Sequence, residues 1–152
     1  MPDYRRYLPK DVREILLILA SHMVPSTSDL DLSGREPQIE NGLSHFVFAM
    51  TALYRRGLIW GLRLFKWLPF FSGLGFKPFT RLSKEKQLRY MDNWALSDSA
   101  LKREFFRSVK AIVMMVCFTD KRIWNYLGYE VDQYVEERIQ LREKILKNDI
   151  HP

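Results

Sequence analysis

A chain of 152 residues with one cysteine and a formal net charge of +6 is long enough for one domain with its own core, and an internal disulfide is excluded. The charge is concentrated. Between Gly42 and Met91 nine bases (Arg55, Arg56, Arg63, Lys66, Lys77, Arg81, Lys84, Lys86 and Arg89) stand against one acid, Glu85, a net of +8, while the remainder is slightly acidic.

The N-terminal MPDYRRYLPKDV has no apolar h-region or small-residue cleavage site behind Arg5-Arg6, so it reads as neither a secretory nor a twin-arginine signal. The first predicted helix runs from Leu8 to Met23. Pro9 suits its first turn, Asp11 and Glu14 its N-terminal end, and Ile15, Ile18/Leu19 and His22/Met23 form a stripe. Pro25 stops it, and Pro25 to Pro37 (PSTSDLDLSGREP) holds turn formers without apolar period, which predicts a loop.

From Gln38 to Phe71 the pattern is unusual. Turning by the helical angle from Asn41 to Leu68 gathers Asn41, Ser44, His45, Thr51, Arg55, Arg56, Arg63 and Lys66 in one narrow basic sector. The remaining surface is mostly apolar, including Leu53, Leu58, Trp60, Leu62, Leu64, Phe65 and Trp67. A monomer's surface helix divides more evenly. Gly57 and Gly61 lie on the apolar side, as places for a kink or for a close neighbour. Arg55-Arg56 cut the run short of the roughly 20 apolar residues that a membrane span needs. Two readings stay open: the apolar surface packs inside this protein, or it is offered to a larger protein or a membrane interface, with bases and tryptophans as anchors.

Pro69 to Pro78 (PFFSGLGFKP) ends the segment, and Gly73-Leu74-Gly75 is a turn without phosphate-loop spacing. Leu82 to Trp94 predicts a helix with Ser83 as N-cap and Leu88, Met91 and Ala95 inward. Next, Val109 to Phe118 (VKAIVMMVCF) is apolar apart from Lys110. The flank SDSALKREFFRSVK repeats at helical spacing through Leu101, Phe105, Ser108/Val109 and Ile112, which decides for a helix over a strand. That helix, about 99–118, is expected to be half exposed at its start, enclosed on all sides by its end, and the centre of the core. Gly128 has the place of a C-terminal stop after a short turn, and Glu130 to Lys147 is a surface helix with one stripe. The whole predicts an all-α single domain, a bundle of about five helices around the buried central one, with 24–37 as loop, 42–71 as the amphipathic basic segment and 148–152 as a frayed tail.

The ingredients of catalysis are scarce. His22, His45 and His151 are far apart, without ligand-spaced partners, and read as structural or exposed. Cys117 sits in an apolar run as a buried thiol, and Met114-Met115 is core filling. Neither an enzyme nor a cofactor-binding chain is expected. Nucleic acid is not the expected partner either. The bases interleave with large aliphatics and tryptophans, and no helix-turn-helix, zinc-finger or RNP signature is legible.

Trp94, Ser97, Leu101, Phe105-Phe106, Lys110, the apolar run, Phe118, Trp124 and Gly128-Tyr129 form a pattern that resembles the small-subunit family called gluconate 2-dehydrogenase subunit 3. It is similar also to the N-terminal region of long-chain fatty alcohol oxidases of the glucose-methanol-choline (GMC) flavoprotein type. Leu8 through Pro25-Ser26-Thr27 resembles that family's opening helix and the turn ending it. The resemblance implies a helical, non-catalytic accessory subunit that helps a separate FAD-bearing dehydrogenase or oxidase to fold, mature or be exported, with FAD in the partner and none in this chain. Two departures bear on it. No twin-arginine signal is present, and Tyr129 runs into Glu130-Val131-Asp132, not the Gly-Pro that leads into a fused flavin domain. Residues 42–79 are closer to the membrane-associated alcohol oxidases.

On these grounds Trp94 and Phe105 read as core. Phe106, Trp124, Tyr126, Tyr129, Leu58, Trp60, Leu62, Phe65 and Trp67 read as a partner interface, and Arg55, Arg56, Arg63, Lys66 and Lys77 as an anionic-surface contact. The alternative is a stand-alone basic amphipathic protein on anionic lipid. The expected location is cytoplasmic or peripheral to a membrane.

Overall fold

The computed structural model describes residues 3–24, 36–71, 77–119, 123–124, 128 and 131–149, and these are helical with no strand among them. Contacts divide the chain into two units, Met1–Thr119 and Asp120–Pro152. The first is an all-α bundle of five helices: α1 (Lys10–Met23), α2 (Glu36–Ala49), α3 (Ala52–Phe71), α4 (Lys84–Ala95) and α5 (Ala100–Cys117), with short 3-10 turns at Arg5–Tyr7 and Phe79–Arg81.

Helix α1 starts after Pro9, whose fixed φ of −55° and extended ψ place it at the N-cap, and Asp11 complements the first turn. Val12, Ile15, Leu16, Leu19 and Ala20 face inward at three- and four-residue steps. Helix α5 has the central place expected of it, packing against α1, α2 and α4. Its buried stripe is Phe106, Val109, Ile112, Val113 and Cys117. Enclosure on every side at its end is not seen, because Met115 stays exposed; the start, with Leu101 exposed, is open as expected.

The segment 42–71 is not one helix. Met50 and Thr51 separate α2 from α3, so the single basic sector traced across both does not exist as a surface. Ser44, placed in that sector by the sequence, is buried beside Leu43 and Val47, and the Asn41 side-chain carbonyl accepts the Tyr4 backbone N–H at 2.8 Å. The closing helix of the basic region also differs in phase. Helix α4 buries Gln87, Tyr90, Met91 and Trp94, while Leu88 and Ala95 are exposed. Ser83 and Ser99 hold the N-cap positions of α4 and α5 without a side-chain cap hydrogen bond.

Aromatic rings make the core that α3, α4 and α5 share. The Phe65 centroid lies 4.8 Å from Phe79, 4.9 Å from Tyr90, 5.0 Å from Trp94 and 6.1 Å from Phe106. The first three pairs are tilted or edge-on and the Phe106 pair is stacked, with an interplanar angle of 18°; ring quadrupoles favour edge and offset-stacked arrangements over a face-to-face sandwich. Helix α3 comes close to α5 because Gly61 has no side chain: a Cβ there would run into the Phe105 ring. Of the two glycines expected to bend α3 or admit a neighbour, Gly61 admits one and Gly57 faces open space.

Gly128 has φ 69°, the left-handed region that suits glycine at a helix stop. Beyond it α6 (Val131–Asp149) leaves every side chain from Gln133 to Lys147 exposed.

Candidate functional site

Helix α3 has two apolar faces, and only one is used by the fold. Leu58, Leu62, Phe65 and Pro69 point inward. On the other side Leu53, Gly57, Trp60, Leu64, Trp67 and Phe71 follow at alternating steps of four and three, which keeps them on one narrow stripe. All six are exposed, Leu53 and Phe71 to about four fifths and Trp60 to 69%. Tyr54 and Phe70 widen the stripe. Isolated exposed apolar residues need no explanation, whereas a contiguous row of large ones marks a contact surface.

This division corrects part of the expected interface. Leu58, Leu62, Phe65 and Phe106 are buried within the protein's own core and unavailable to a partner. Their neighbours in sequence, Trp60 and Trp67, are exposed as an interface requires. Trp124 is half-buried, and Tyr126 and Tyr129 lie outside the described residues. Sequence reasoning did not single out Leu53, Leu64 and Phe71 as site residues. The signal that finds them is the four-three register running through Trp60 and Trp67.

The basic residues separate in the same way. Arg63 Nε donates to Asp11 Oδ2 at 2.9 Å, and Lys66 Nζ stands 3.6 Å from Glu14 Oε2. Helix α1 thus neutralises two of the five cations expected to meet an anionic surface. Partial burial, the largest single influence on the Asp11 carboxyl, raises its pKa, but the Arg63 hydrogen bond and charge, with backbone N–H donors, outweigh it and hold the carboxyl below its ordinary value. Arg55 reaches back to the Phe48 carbonyl at 3.1 Å and lies over the Phe48 ring. Arg56 and Lys77 are exposed, and among the described residues no acid pairs with either. Helix α3 itself contains no acid. No helix among the described residues is long and apolar enough to cross a membrane.

No protein-family model, curated protein or solved structure matches the chain. His22 is held structurally: its Nε2 lies 2.8 Å from Gln87 Oε1, and Gln87 Nε2 in turn donates to the Phe79 carbonyl at 3.1 Å. Because an amide oxygen only accepts, this pairing puts the His22 proton on Nε2. Cys117 is buried, as its apolar run predicts.

Proposed function

We propose that the protein is a non-catalytic accessory protein that settles on an anionic membrane surface through the outer face of α3. The observation that carries this reading is the exposed stripe from Leu53 to Phe71 on an acid-free helix. Tryptophan, phenylalanine and leucine on one face, with arginine and lysine beside them, is the composition of a helix lying in the plane of a bilayer interface. The inner face of α3 is anchored by Leu62 and Phe65, so the stripe is presented by a rigid body and requires no coupled folding.

Vesicle flotation tests it. The chain is expected to float with vesicles of phosphatidylcholine and phosphatidylserine and less with phosphatidylcholine alone. Full burial of a large apolar side chain stabilises by about 1.5–3 kcal/mol, so Trp60→Ser with Leu64→Ser should weaken partitioning about a hundredfold while thermal unfolding stays unchanged. Unchanged flotation of the double variant would overturn the reading.

A second surface favours a protein partner as well. Exposed Tyr134, Val135, Ile139, Leu141, Ile145 and Leu146 give α6 an apolar surface among charges of both signs, as helix-in-groove recognition uses. The resemblance of the Trp94–Tyr129 pattern to gluconate 2-dehydrogenase small subunits supplies the partner class, a large FAD-dependent GMC-type oxidoreductase. Co-expression with a large FAD-dependent GMC-type chain is expected to raise that chain's soluble yield and flavin content. A large chain that is equally soluble and flavin-loaded when made alone would count against this reading.

A further inference from the structure

At the C-terminal end of α3 a cleft of about 640 Å³ opens between α1, α3 and the segment that leads into the second 3-10 turn. Its cations are Lys66, Lys77 and Arg81, and its acid is Glu14, so three bases against one acid leave a net of +2. Lys66 and Glu14 pair with each other, and among the described residues no acid pairs with Lys77 or Arg81. Thr80 adds a hydroxyl, and Trp67 and Phe70, edge to face at 6.4 Å, form an apolar wall.

The segment carrying these groups is fixed from beneath. Phe79 is fully buried against Phe65, its carbonyl accepts the Gln87 amide, and the Arg81 N–H donates to the Pro78 carbonyl at 2.9 Å. Lys77, Thr80 and Arg81 therefore flank a buried anchor and project from a backbone that does not need to reorganise around a ligand.

We infer that this cleft binds a phosphomonoester. A phosphomonoester carries a charge of about −1.5 to −2 near neutral pH, which matches the cleft's net +2. Arginine gives its oxygens a planar pair of donors, lysine a point charge, and threonine a further hydroxyl. Trp67 belongs both to the cleft wall and to the exposed stripe of α3, so a group bound here is continuous with the face proposed to meet the bilayer. The chemistry of the cleft stands on its own residues; only the lipid as source of the phosphate rests on the membrane reading.

Two ligands separate the sources. Calorimetry with soluble glycerol 3-phosphate is expected to show saturable binding, weakened at least about tenfold by Lys77→Gln with Arg81→Gln through the loss of two charge-assisted hydrogen bonds. Both side chains are exposed, so circular dichroism and thermal unfolding of this variant should match those of the parent. Vesicles with phosphatidic acid should bind more tightly than vesicles of equal surface charge made with phosphatidylserine, and the variant, while weakened on both by the loss of two cations, should bind the two alike. Soluble binding without the phosphatidic-acid margin assigns the cleft to a soluble phosphomonoester. Absence of glycerol 3-phosphate binding together with absence of the margin overturns the inference, as does binding that the double variant leaves unchanged. Trp60→Ser with Leu64→Ser distinguishes the two proposals. If flotation survives that change the membrane reading of α3 fails, while glycerol 3-phosphate binding still reports on the cleft alone.

Discussion

Pro69 sits inside α3 and has no N–H, so the Phe65 carbonyl four residues earlier loses its helical partner. The Tyr90 hydroxyl takes that place, donating to the Phe65 carbonyl at 2.9 Å from the neighbouring helix. Burial pushes the Tyr90 hydroxyl's pKa well above its usual range, the Trp94 contact opposing it slightly, so the proton that makes the bond is held at every ordinary pH. Tyr90→Phe keeps the ring and its contacts with Phe65, Phe79 and Trp94 and removes the hydroxyl, which donates to the Phe65 carbonyl and accepts from the Trp94 indole N–H. A buried carbonyl left without a partner costs about 1–3 kcal/mol. At about 2–4 °C per kcal/mol for a chain of this size, thermal unfolding followed by circular dichroism should fall by about 2 to 12 °C. The decisive measurement is the same change in a Pro69→Ala background, where residue 69 regains an N–H for the Phe65 carbonyl. There the cost of Tyr90→Phe should shrink by about 1–2 kcal/mol, the scale expected of residues sharing one hydrogen-bond acceptor. An equal cost in both backgrounds would refute the substitution of hydroxyl for amide.

Two further outcomes follow from positions that look alike in sequence or in charge. Gly61→Ala should destabilise by about 1–3 kcal/mol because its Cβ would meet Phe105, whereas Gly57→Ala, with nothing within 4 Å, should stabilise by about 0.5–1 kcal/mol; equal effects in urea unfolding would remove the case for close α3–α5 packing. The Asp11–Arg63 pair sets a pH dependence: since the folded carboxyl titrates below its ordinary 3.8, the stabilisation is fully present above that value and is lost as pH falls through the folded one. Asp11→Asn should therefore unfold earlier at neutral pH, with the difference from the parent shrinking as the pH falls below the carboxyl's ordinary value; a constant difference from neutral to acid pH would show that the pair contributes nothing.

The helices, their approximate ends and the central place of α5 were legible because apolar period and turn residues carry them directly. Orientation was less so. Helix α4 shows why: aliphatic Leu88 and Ala95 look inward on hydropathy alone, yet Gln87 and Tyr90 take those places. Each polar tip finds a partner that no local pattern announces, His22 and the Phe79 carbonyl for Gln87, the Phe65 carbonyl for Tyr90. Burial of a polar group is costly only when it is unpaired. The same limit governs α3. With apolar residues on both faces, sequence alone cannot rank Phe65 against Trp60, and the choice is made by Phe79, Trp94 and Phe106, which arrive from elsewhere in the chain to surround Phe65. The break at Met50-Thr51 was illegible for a related reason, since neither residue forbids a helix.

Pairing by α1 also decides what kind of surface α3 presents. Had all the bases of α3 remained uncompensated, its charge would be spread along the helix and would suit a polyanion tracked end to end. Asp11 and Glu14 remove Arg63 and Lys66 from that row, so among the described residues the cations without an acid partner lie toward its two ends: Arg55 and Arg56 in the first turns, Lys77 and Arg81 beyond the last. Between them runs the stripe Trp60, Leu64 and Trp67. Cations at the ends of an aromatic row allow the row to sink while the charges stay at headgroup level. A binding mode based on charge alone would instead weaken steeply with salt and be indifferent to Trp60 and Leu64. Residual attachment at raised salt is thus the outcome that would tie the stripe, more than the bases, to the membrane contact proposed for this helix.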